Sequence, residues 1–195
     1  MAAERVGTFV FALSGGVAAV RRRMDILGVI LVAFLPALGG GTIRDILLDQ
    51  PVFWLEDTPV LAISALGGVV AFFAAEPVDN WKPLRWADAA GLSLFALAGA
   101  AKAADLGYGL AVILLMGMIT ATFGGFLRDV LTRRVPLIFK REIYATAALL
   151  GALVYALLLR APVPEGVAFS AGMTAAFLLR GATIIFGLNL PVPKH

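Results

Sequence analysis

The sequence predicts an all-α integral membrane protein of seven transmembrane helices, six of which form two inverted three-helix repeats. The first observation is composition: 61% of the 195 residues are hydrophobic and 15% are charged, with a mean hydropathy of +0.93. So few polar side chains cannot cover the surface of a soluble domain. The second is that the apolar segments are long and rich in Ala, Leu and Gly, unlike the roughly ten-residue alternating strands of a membrane barrel. The third is an internal repeat.

Charged or proline-rich breaks divide the chain into seven apolar spans. The predicted spans are residues 8–20, 26–47, 59–75, 87–103, 108–131, 143–159 and 167–188. Several are shorter than the roughly 20 residues that cross a bilayer, so flanking polar residues are expected to extend those helices. Residues 1–195 therefore form one membrane domain.

The repeat is clearest where two apolar runs end. The sequence GGGTIRDIL at residues 39–47 recurs with the same spacing as FGGFLRDVL at residues 123–131. The same offset aligns repeat one, about residues 3–75, with repeat two, about residues 87–159, and leaves the seventh helix, about residues 167–188, outside. Because each repeat has an odd number of spans, the second enters the membrane from the opposite side, and the repeats are predicted to be inverted.

Basic residues give an independent prediction of orientation, since Lys and Arg accumulate on the cytoplasmic side. With seven spans, one side carries Arg5, Arg44, Lys102 and Arg160. The other carries Arg21, Arg22, Arg23, Lys82, Arg85, Arg128, Arg133, Arg134, Lys140, Arg141 and Lys194. The sequence therefore predicts a multi-pass inner (plasma) membrane protein with an extracytoplasmic N-terminus and a cytoplasmic C-terminus.

Composition and motifs exclude several functions. The net charge of +3 and the pI near 9.6 come from basic residues beside apolar spans, which is a topology signal and not a nucleic-acid footprint. The sequence has no cysteine, and its one histidine, His195, lies at the tail without metal-ligand spacing. No phosphate-binding GxxxxGK motif is present. We expect no enzyme activity, no cofactor and no metal beyond transient monovalent cations.

The repeated motifs supply the candidate pathway. Adjacent glycines weaken or bend a helix, and charged residues inside a span favour a polar interior over lipid. A bent helix exposes carbonyls that can replace water around a monovalent cation. The candidate pore and gating residues are Gly39, Gly40, Gly41, Thr42, Arg44 and Asp45 in the second span, and Thr120, Thr122, Gly124, Gly125, Arg128 and Asp129 in the fifth.

Helix length places the two arginines at opposite mouths. A straight helix from Ile26 reaches Arg44 after about 27 Å, close to the full hydrocarbon thickness. By inversion, Arg128 lies near the other mouth. The sequence leaves two readings open. Either Arg44 pairs with Asp129, and Arg128 with Asp45, to gate the pathway, or the arginines reach the interfaces and the glycines allow close helix packing.

Four further charged residues carry simpler expectations. Glu4 and Asp88 occupy equivalent places near the starts of the first and fourth spans, where a carboxylate favours a helix N-terminus. Lys102 is expected to extend to the interface. Arg180 interrupts the seventh span and must face a partner, a wet cavity or a subunit contact, and the sequence does not distinguish these.

Taken together, the motifs carry a family resemblance. They are GGGTIRD with the following PVFW at 51–54, ADAAGLSLFALAGA at 87–100, GGFLRDVLTRRVP at 124–136 and EIYA at 142–145. The chain resembles the prokaryotic trimeric intracellular cation (TRIC) channels, which overlap in sequence with bacterial proteins labelled as glycine transporters. The resemblance covers nearly the whole chain.

The resemblance implies a homotrimer of seven-helix protomers, each with its own pore for monovalent cations such as potassium. It places the helix bends at Gly39, Gly40 and Gly41, and again at Gly124 and Gly125, where Phe123 replaces a third glycine. Animal members have basic residues that engage the pore or anionic lipid headgroups, a role that Arg44 and Arg128 would take here. The alternative is a secondary transporter of a small amino acid such as glycine, since inverted repeats suit both. The residues alone leave the two near even, and the resemblance favours the channel.

Overall fold

The computed structural model describes residues 2–74 and 82–191, which form seven long helices and one short helix. The helices are α1 (Ala2–Val20), α2 (Ile26–Leu47), α3 (Phe53–Glu56), α4 (Pro59–Ala74), α5 (Lys82–Asp105), α6 (Leu110–Leu131), α7 (Ala145–Leu158) and α8 (Glu165–Phe186). A 3₁₀ turn at Leu137–Phe139 follows α6. The predicted break at 76–83 lies mostly outside the described residues, as do Lys194 and His195.

Each predicted span corresponds to one long helix. Three of the described helices, α2, α6 and α8, are long and apolar enough to cross a membrane, while α4 and α7 are apolar but shorter. Large apolar side chains remain exposed on the outside of the bundle. Examples are Leu27, Leu31, Leu66, Phe73, Leu178, Ile185 and Phe186. An apolar exterior of this extent is typical of a protein surrounded by lipid.

The two central helices end in the same way. Asp49 after α2 and Arg133 after α6 both have φ of 52°, in the left-handed region where a helix C-terminus usually places glycine. The next amide in each case donates back to a carbonyl of the last turn, that of Asp45 in α2 and that of Asp129 in α6, at 2.8 Å in both. The repeated sequence therefore folds twice into the same helix end.

Helices α2 and α6 cross closely at the centre of the bundle, with α1 and α5 packed beside them. A Cβ atom on Gly40 would meet the carbonyl oxygen of Thr120, and a Cβ on Gly124 would meet the carbonyl oxygen of Pro36. Gly40 corresponds to Gly124 and Pro36 to Thr120 in the internal repeat, so the contact is reciprocal. The rings of Phe11 in α1 and Phe95 in α5 correspond likewise and stack with centroids 5.1 Å apart.

Both α2 and α6 continue as α-helices through their glycines. These glycines allow the close crossing, because any side chain at Gly40 or Gly124 would collide with backbone of the facing helix. The second reading is confirmed for the glycines, which allow close helix packing. It is wrong for Arg44 and Arg128, which are buried instead of extending to the interfaces. A bend at these positions stays a prediction.

Candidate functional site

Arg44, Asp45, Glu4 and Lys102 form a first charged cluster where the C-terminal ends of α2 and α5 meet the start of α1. The Asp45 Oδ1 atom accepts hydrogen bonds from Arg44 Nε and Lys102 Nζ, both at 2.7 Å. Asp45 Oδ2 accepts from the Phe53 N–H at 2.8 Å, and Arg44 Nη1 lies 3.4 Å from Glu4 Oε1. Arg44 and Asp45 are 1% and 0% exposed, so each charge depends on these partners.

Arg128, Asp129, Asp88 and Ser14 form a second charged cluster at the C-terminal end of α6. Arg128 Nε donates to Asp129 Oδ1 at 2.9 Å, and Arg128 Nη1 donates to Ser14 Oγ at 2.6 Å and to Asp88 Oδ1. Asp129 Oδ2 accepts from the Leu137 N–H at 3.2 Å, as Asp45 does from Phe53 in the first cluster. The buried guanidinium is thus surrounded by carboxylate and hydroxyl oxygens.

The two clusters correspond under the internal repeat but are not identical. Glu4 and Asp88 occupy equivalent positions, and each lies against the arginine of its own repeat. The first cluster has a second cation, Lys102, which belongs to repeat two. The corresponding residue in repeat one is the apolar Ala18, so the second cluster has no equivalent lysine. In the second cluster, Arg128 pairs with both Asp88 and Asp129.

The first of the two readings, pairing between repeats, is wrong, because each arginine binds the aspartate that follows it. The long arginine side chain folds back along the last helical turn and brings Nε to its neighbour's carboxylate. The clusters also lie far apart. Asp88 and Lys102 belong to different clusters on the same helix, α5, and the rise of an α-helix separates them by about 21 Å.

The expectations for Asp88 and Lys102 are also corrected, whereas Glu4 lies in the first turn of α1 as expected. Helix α5 begins at Lys82, so Asp88 lies in its second turn and partners Arg128 instead of capping the helix. Glu4 also lies against Arg44. Lys102 binds Asp45 instead of extending to the interface. The sequence does contain a signal for these partners. A buried arginine needs acidic partners, and Glu4 and Asp88 are acids at equivalent positions of the two repeats.

A cavity adjoins each cluster. The cytoplasmic cavity, named for the side that the basic residues predict, has a volume of about 530 Å³ and includes Asp88, Arg128 and Asp129 in its lining. The outer cavity, of about 580 Å³, includes Glu4 and Lys102. Gly40 and Gly124 each precede the arginine of their repeat by one turn, so the α2–α6 crossing lies between the two clusters along both helices.

The charges around the two cavities differ. Basic side chains from several elements gather at the cytoplasmic cavity, and Arg22 Nη2 donates to the Arg133 carbonyl at 3.0 Å to join the loops after α1 and α6. Burial, together with the nearby Arg22 and Arg21, lowers the pKa of Arg134 to about 10. At the outer cavity, a hydrogen bond from Arg5 lowers the pKa of Asp57. The cytoplasmic cavity is thus lined by more basic residues than the outer cavity.

The predicted threonines are committed to helix backbone. The hydroxyl of Thr42 donates to the Leu38 carbonyl at 2.8 Å and accepts from Trp54 Nε1 at 3.0 Å. The hydroxyls of Thr120 and Thr122 likewise donate to carbonyls four residues earlier, at 2.6 and 2.8 Å. Thr42 lines a separate apolar groove together with Gly39. The three threonines line neither cavity. Arg128 and Asp129 line the cytoplasmic cavity, whereas Arg44 and Asp45 adjoin the outer cavity through their partners Glu4 and Lys102.

Buried, paired charges inside an apolar helical bundle are typical of membrane proteins that conduct or carry polar solutes. The sequence profile of the glycine transporter family matches residues 1–76 and 85–160, and the chain belongs to this family. It is 40% identical over 191 residues to the UPF0126 inner membrane protein YadS of Escherichia coli (strain K12). The aligned region covers 95% of this chain and 92% of that protein. A UPF0126 membrane protein of Vibrio cholerae is 36% identical over 191 residues, covering 96% of this chain and 80% of that protein.

Solved structures with the same fold are TRIC channels. The TRIC orthologue of Rhodobacter sphaeroides matches with a TM-score of 0.90 and 42% identity, over 95% of this chain and 97% of that one. A prokaryotic TRIC channel in 0.5 M KCl matches with a TM-score of 0.89 and 30% identity, over 96% of both chains. The family resemblance predicted from the motifs is confirmed. These similar structures are ion channels and not enzymes, in agreement with the absence of catalytic motifs.

Proposed function

We propose that this protein is a channel for monovalent cations, chiefly potassium, that assembles as a homotrimer with a pore inside each protomer. The observation that carries the proposal is the duplicated charged cluster, because each copy lies beside a cavity at one end of a fold shared with TRIC cation channels. One such cluster could be a structural ion pair. Two at equivalent positions, about 21 Å apart, delimit a path through the protomer.

The proposed path runs from the outer cavity past Lys102 and Arg44, along the α2–α6 crossing, and past Arg128 into the cytoplasmic cavity. Carboxylates in both clusters attract a cation, while the guanidinium groups that they hold repel it. In the arrangement seen here both guanidinium groups are buried and paired. Movement of Arg44 and Arg128 away from their carboxylates would leave an acidic, wet constriction at each entrance. The two arginines are therefore the proposed gates.

Seven membrane-spanning helices with two inverted repeats form the proposed frame of this path. The reciprocal contacts of Gly40 with Thr120 and Gly124 with Pro36 support a pseudo-twofold axis, since a twofold exchanges the two members of a contact. The family profile also matches two segments of equal length that begin at residues 1 and 85. The contact between Arg22 and Arg133 supports one cytoplasmic end that holds both basic loops.

Opening is proposed to occur by bending of α2 and α6 at their glycines. The crossing there is dense, because Gly40 and Gly124 lie against backbone of the facing helix. A bend would separate the two helices at this level and expose carbonyls that can replace the hydration shell of potassium. The absence of side chains at both positions lets the contact open and close without repacking side chains.

A carrier of a small amino acid such as glycine is the second candidate. One observation favours it: the two cavities adjoin different clusters, with the packed α2–α6 crossing between them, as alternating access requires. A carrier would bind its solute near that crossing and open to one cavity at a time. Glycine is proposed only because the family bears that name.

Purified protein in liposomes, assayed in parallel for potassium flux and for labelled glycine uptake, distinguishes the two functions. We expect passive potassium flux that follows the gradient, with glycine uptake no higher than in protein-free liposomes. Saturable glycine uptake without potassium flux would overturn the channel and support the carrier. Sodium and chloride gradients in the same preparation measure how strongly the path prefers potassium.

A further inference from the structure

Arg180 on α8 holds the segment that leads into α7. Its guanidinium is fully buried, with Nη2 2.9 Å from Glu142 Oε2 and Nη1 donating to the Ile143 carbonyl at 3.3 Å. The Cζ atom lies 5.1 Å from the centroid of the Tyr144 ring. Its three contacts fall on consecutive residues immediately before α7 begins at Ala145. A helix outside both repeats therefore clamps one connection within repeat two.

The clamped segment extends to the second charged cluster. The Tyr144 hydroxyl lies 3.5 Å from Asp88 Oδ1, the same oxygen that accepts from Arg128 Nη1. A Cβ on Gly125 would lie 2.6 Å from the Tyr144 hydroxyl oxygen, so Gly125 provides the space that this hydroxyl occupies. The contacts thus continue from Arg180 through the Tyr144 ring to the carboxylate that holds Arg128.

Glu142 makes a second connection between α8 and the same site. Besides contacting Arg180, Glu142 Oε2 accepts from Arg85 Nη2 at 3.1 Å, and Arg85 precedes Asp88 by one turn of α5. Glu142 and Arg85 also line the cytoplasmic cavity. Removing the Arg180 charge would therefore alter both side chains that connect α8 to the wall of this cavity.

The contact that Tyr144 makes with the second cluster has no counterpart at the first cluster. The position that corresponds to Tyr144 in repeat one is Val60, which has no hydroxyl to offer the first cluster. There, the Phe53 ring occupies the space beside Gly41 and lies 5.7 Å from the Arg44 guanidinium. The first cluster is thus supported by an aromatic ring within its own repeat, and the second by a tyrosine that α8 holds in place.

We propose that Arg180 is a positioning residue that keeps the second charged cluster closed by holding Tyr144 and Glu142 against it. The inference rests on the proposed function, since it assigns α8 a part in gating one end of the channel. Asp88 Oδ2 is buried without a hydrogen-bond partner, so Asp88 is oriented only through Oδ1, by Arg128 and Tyr144. Loss of the tyrosine contact would free Asp88 to rotate and release Arg128 toward the cytoplasmic cavity.

The test measures potassium flux into liposomes that contain the Arg180→Met variant, the Tyr144→Phe variant or the double variant. Each single variant is expected to raise flux about fivefold, the factor by which loss of one hydrogen bond shifts an equilibrium. The double variant should match the single variants, because both changes break the same chain of contacts. Arg180→Lys keeps the charge but loses the planar fork that reaches Glu142 and the Ile143 carbonyl together. It should raise flux by less than Arg180→Met does, and it provides a second variant if Arg180→Met fails to fold.

Tyr155→Phe is the matched control. Tyr155 is also buried on α7, and its hydroxyl lies 3.3 Å from Glu165 Oε1 on α8, away from both clusters. Its flux should equal that of the unmodified protein. Unchanged flux in the Arg180 variants, or independent and multiplicative effects of Arg180→Met and Tyr144→Phe, would overturn the proposal.

A second readout separates this proposal from the channel itself. The chain has no cysteine, so Ser14→Cys places a single thiol where Ser14 Oγ now meets Arg128. A charged thiol reagent should modify it about fivefold faster in the Arg180→Met and Tyr144→Phe backgrounds than with Tyr155→Phe. This acceleration without potassium flux in any variant would refute the channel and support the positioning role. Flux with no acceleration would refute the positioning role alone.

Discussion

Replacing Arg128 by methionine is expected to raise passive potassium flux at least about tenfold. The side chain keeps a similar length while the positive charge beside Asp88 and Asp129 is lost. A unit charge about 4 Å from a passing cation costs about 4 kcal/mol at the effective dielectric constant near a protein surface. Removing about 1.4 kcal/mol of a barrier raises a rate tenfold, so partial screening still leaves a large effect. Flux per protomer in liposomes measures it.

Two matched variants give this prediction its control. Arg160→Met removes an exposed charge between α7 and α8 and should leave the flux unchanged. Arg128→Lys keeps the charge but not the planar fork that reaches Asp88, Asp129 and Ser14 together, so its flux should lie between those of the unmodified protein and Arg128→Met. Flux in Arg128→Met equal to that of the unmodified protein would remove Arg128 from the gate.

Replacing Gly124 by alanine is expected to destabilise the protein by about 1–3 kcal/mol, the usual cost of overpacking. The added methyl group would collide with the Pro36 carbonyl, and a carbonyl of a facing helix cannot move aside as a flexible side chain can. Gly40→Ala should have an effect of similar size, because its methyl group would meet the Thr120 carbonyl in the reciprocal contact. Thermal unfolding in detergent measures the loss as a lower midpoint temperature.

Gly166→Ala is the control for the glycine variants. Gly166 lies in the first turn of α8, and nothing lies within 4 Å of a Cβ added there. Alanine favours a helix over glycine by about 0.5–1 kcal/mol, so this variant should be as stable as the unmodified protein or more so. A Gly124→Ala protein as stable as Gly166→Ala would mean that the crossing is looser than the structure shows.

Local sequence signals predicted the helices well. Residues 26–47 were predicted as the second span, and α2 has those bounds, because an apolar run there meets charged residues at each end. The bounds of α5 were predicted less well: residues 87–103 were expected, and the helix extends over Lys82–Asp105. Asp88 and Lys102 lie within the predicted bounds, and the helix adds residues 82–86 and 104–105, whose polar side chains resemble loop sequence.

The partners of the buried charges could not be predicted in the same way. Repetition of Arg-Asp at the ends of two spans is enough to identify Arg44, Asp45, Arg128 and Asp129 as candidate site residues from the sequence. Which acid faces which arginine depends on how α1 and α5 pack against α2 and α6, and the spacing of residues along the chain does not contain that information. Arg180 is an example. Its position within an apolar span predicts that it has a partner, but only the packing of the helices shows that Glu142 and Tyr144 lie beside it.

The central claim, that the two halves open to opposite sides of the membrane, is tested most directly by labelling a single cysteine at each cavity. Val135→Cys lies at the cytoplasmic cavity and Ala98→Cys at the outer cavity. A membrane-impermeant thiol reagent, added to membrane vesicles of known orientation, should label Val135→Cys only in inside-out vesicles. It should label Ala98→Cys only in right-side-out vesicles. Labelling of both cysteines from the same side would contradict the account.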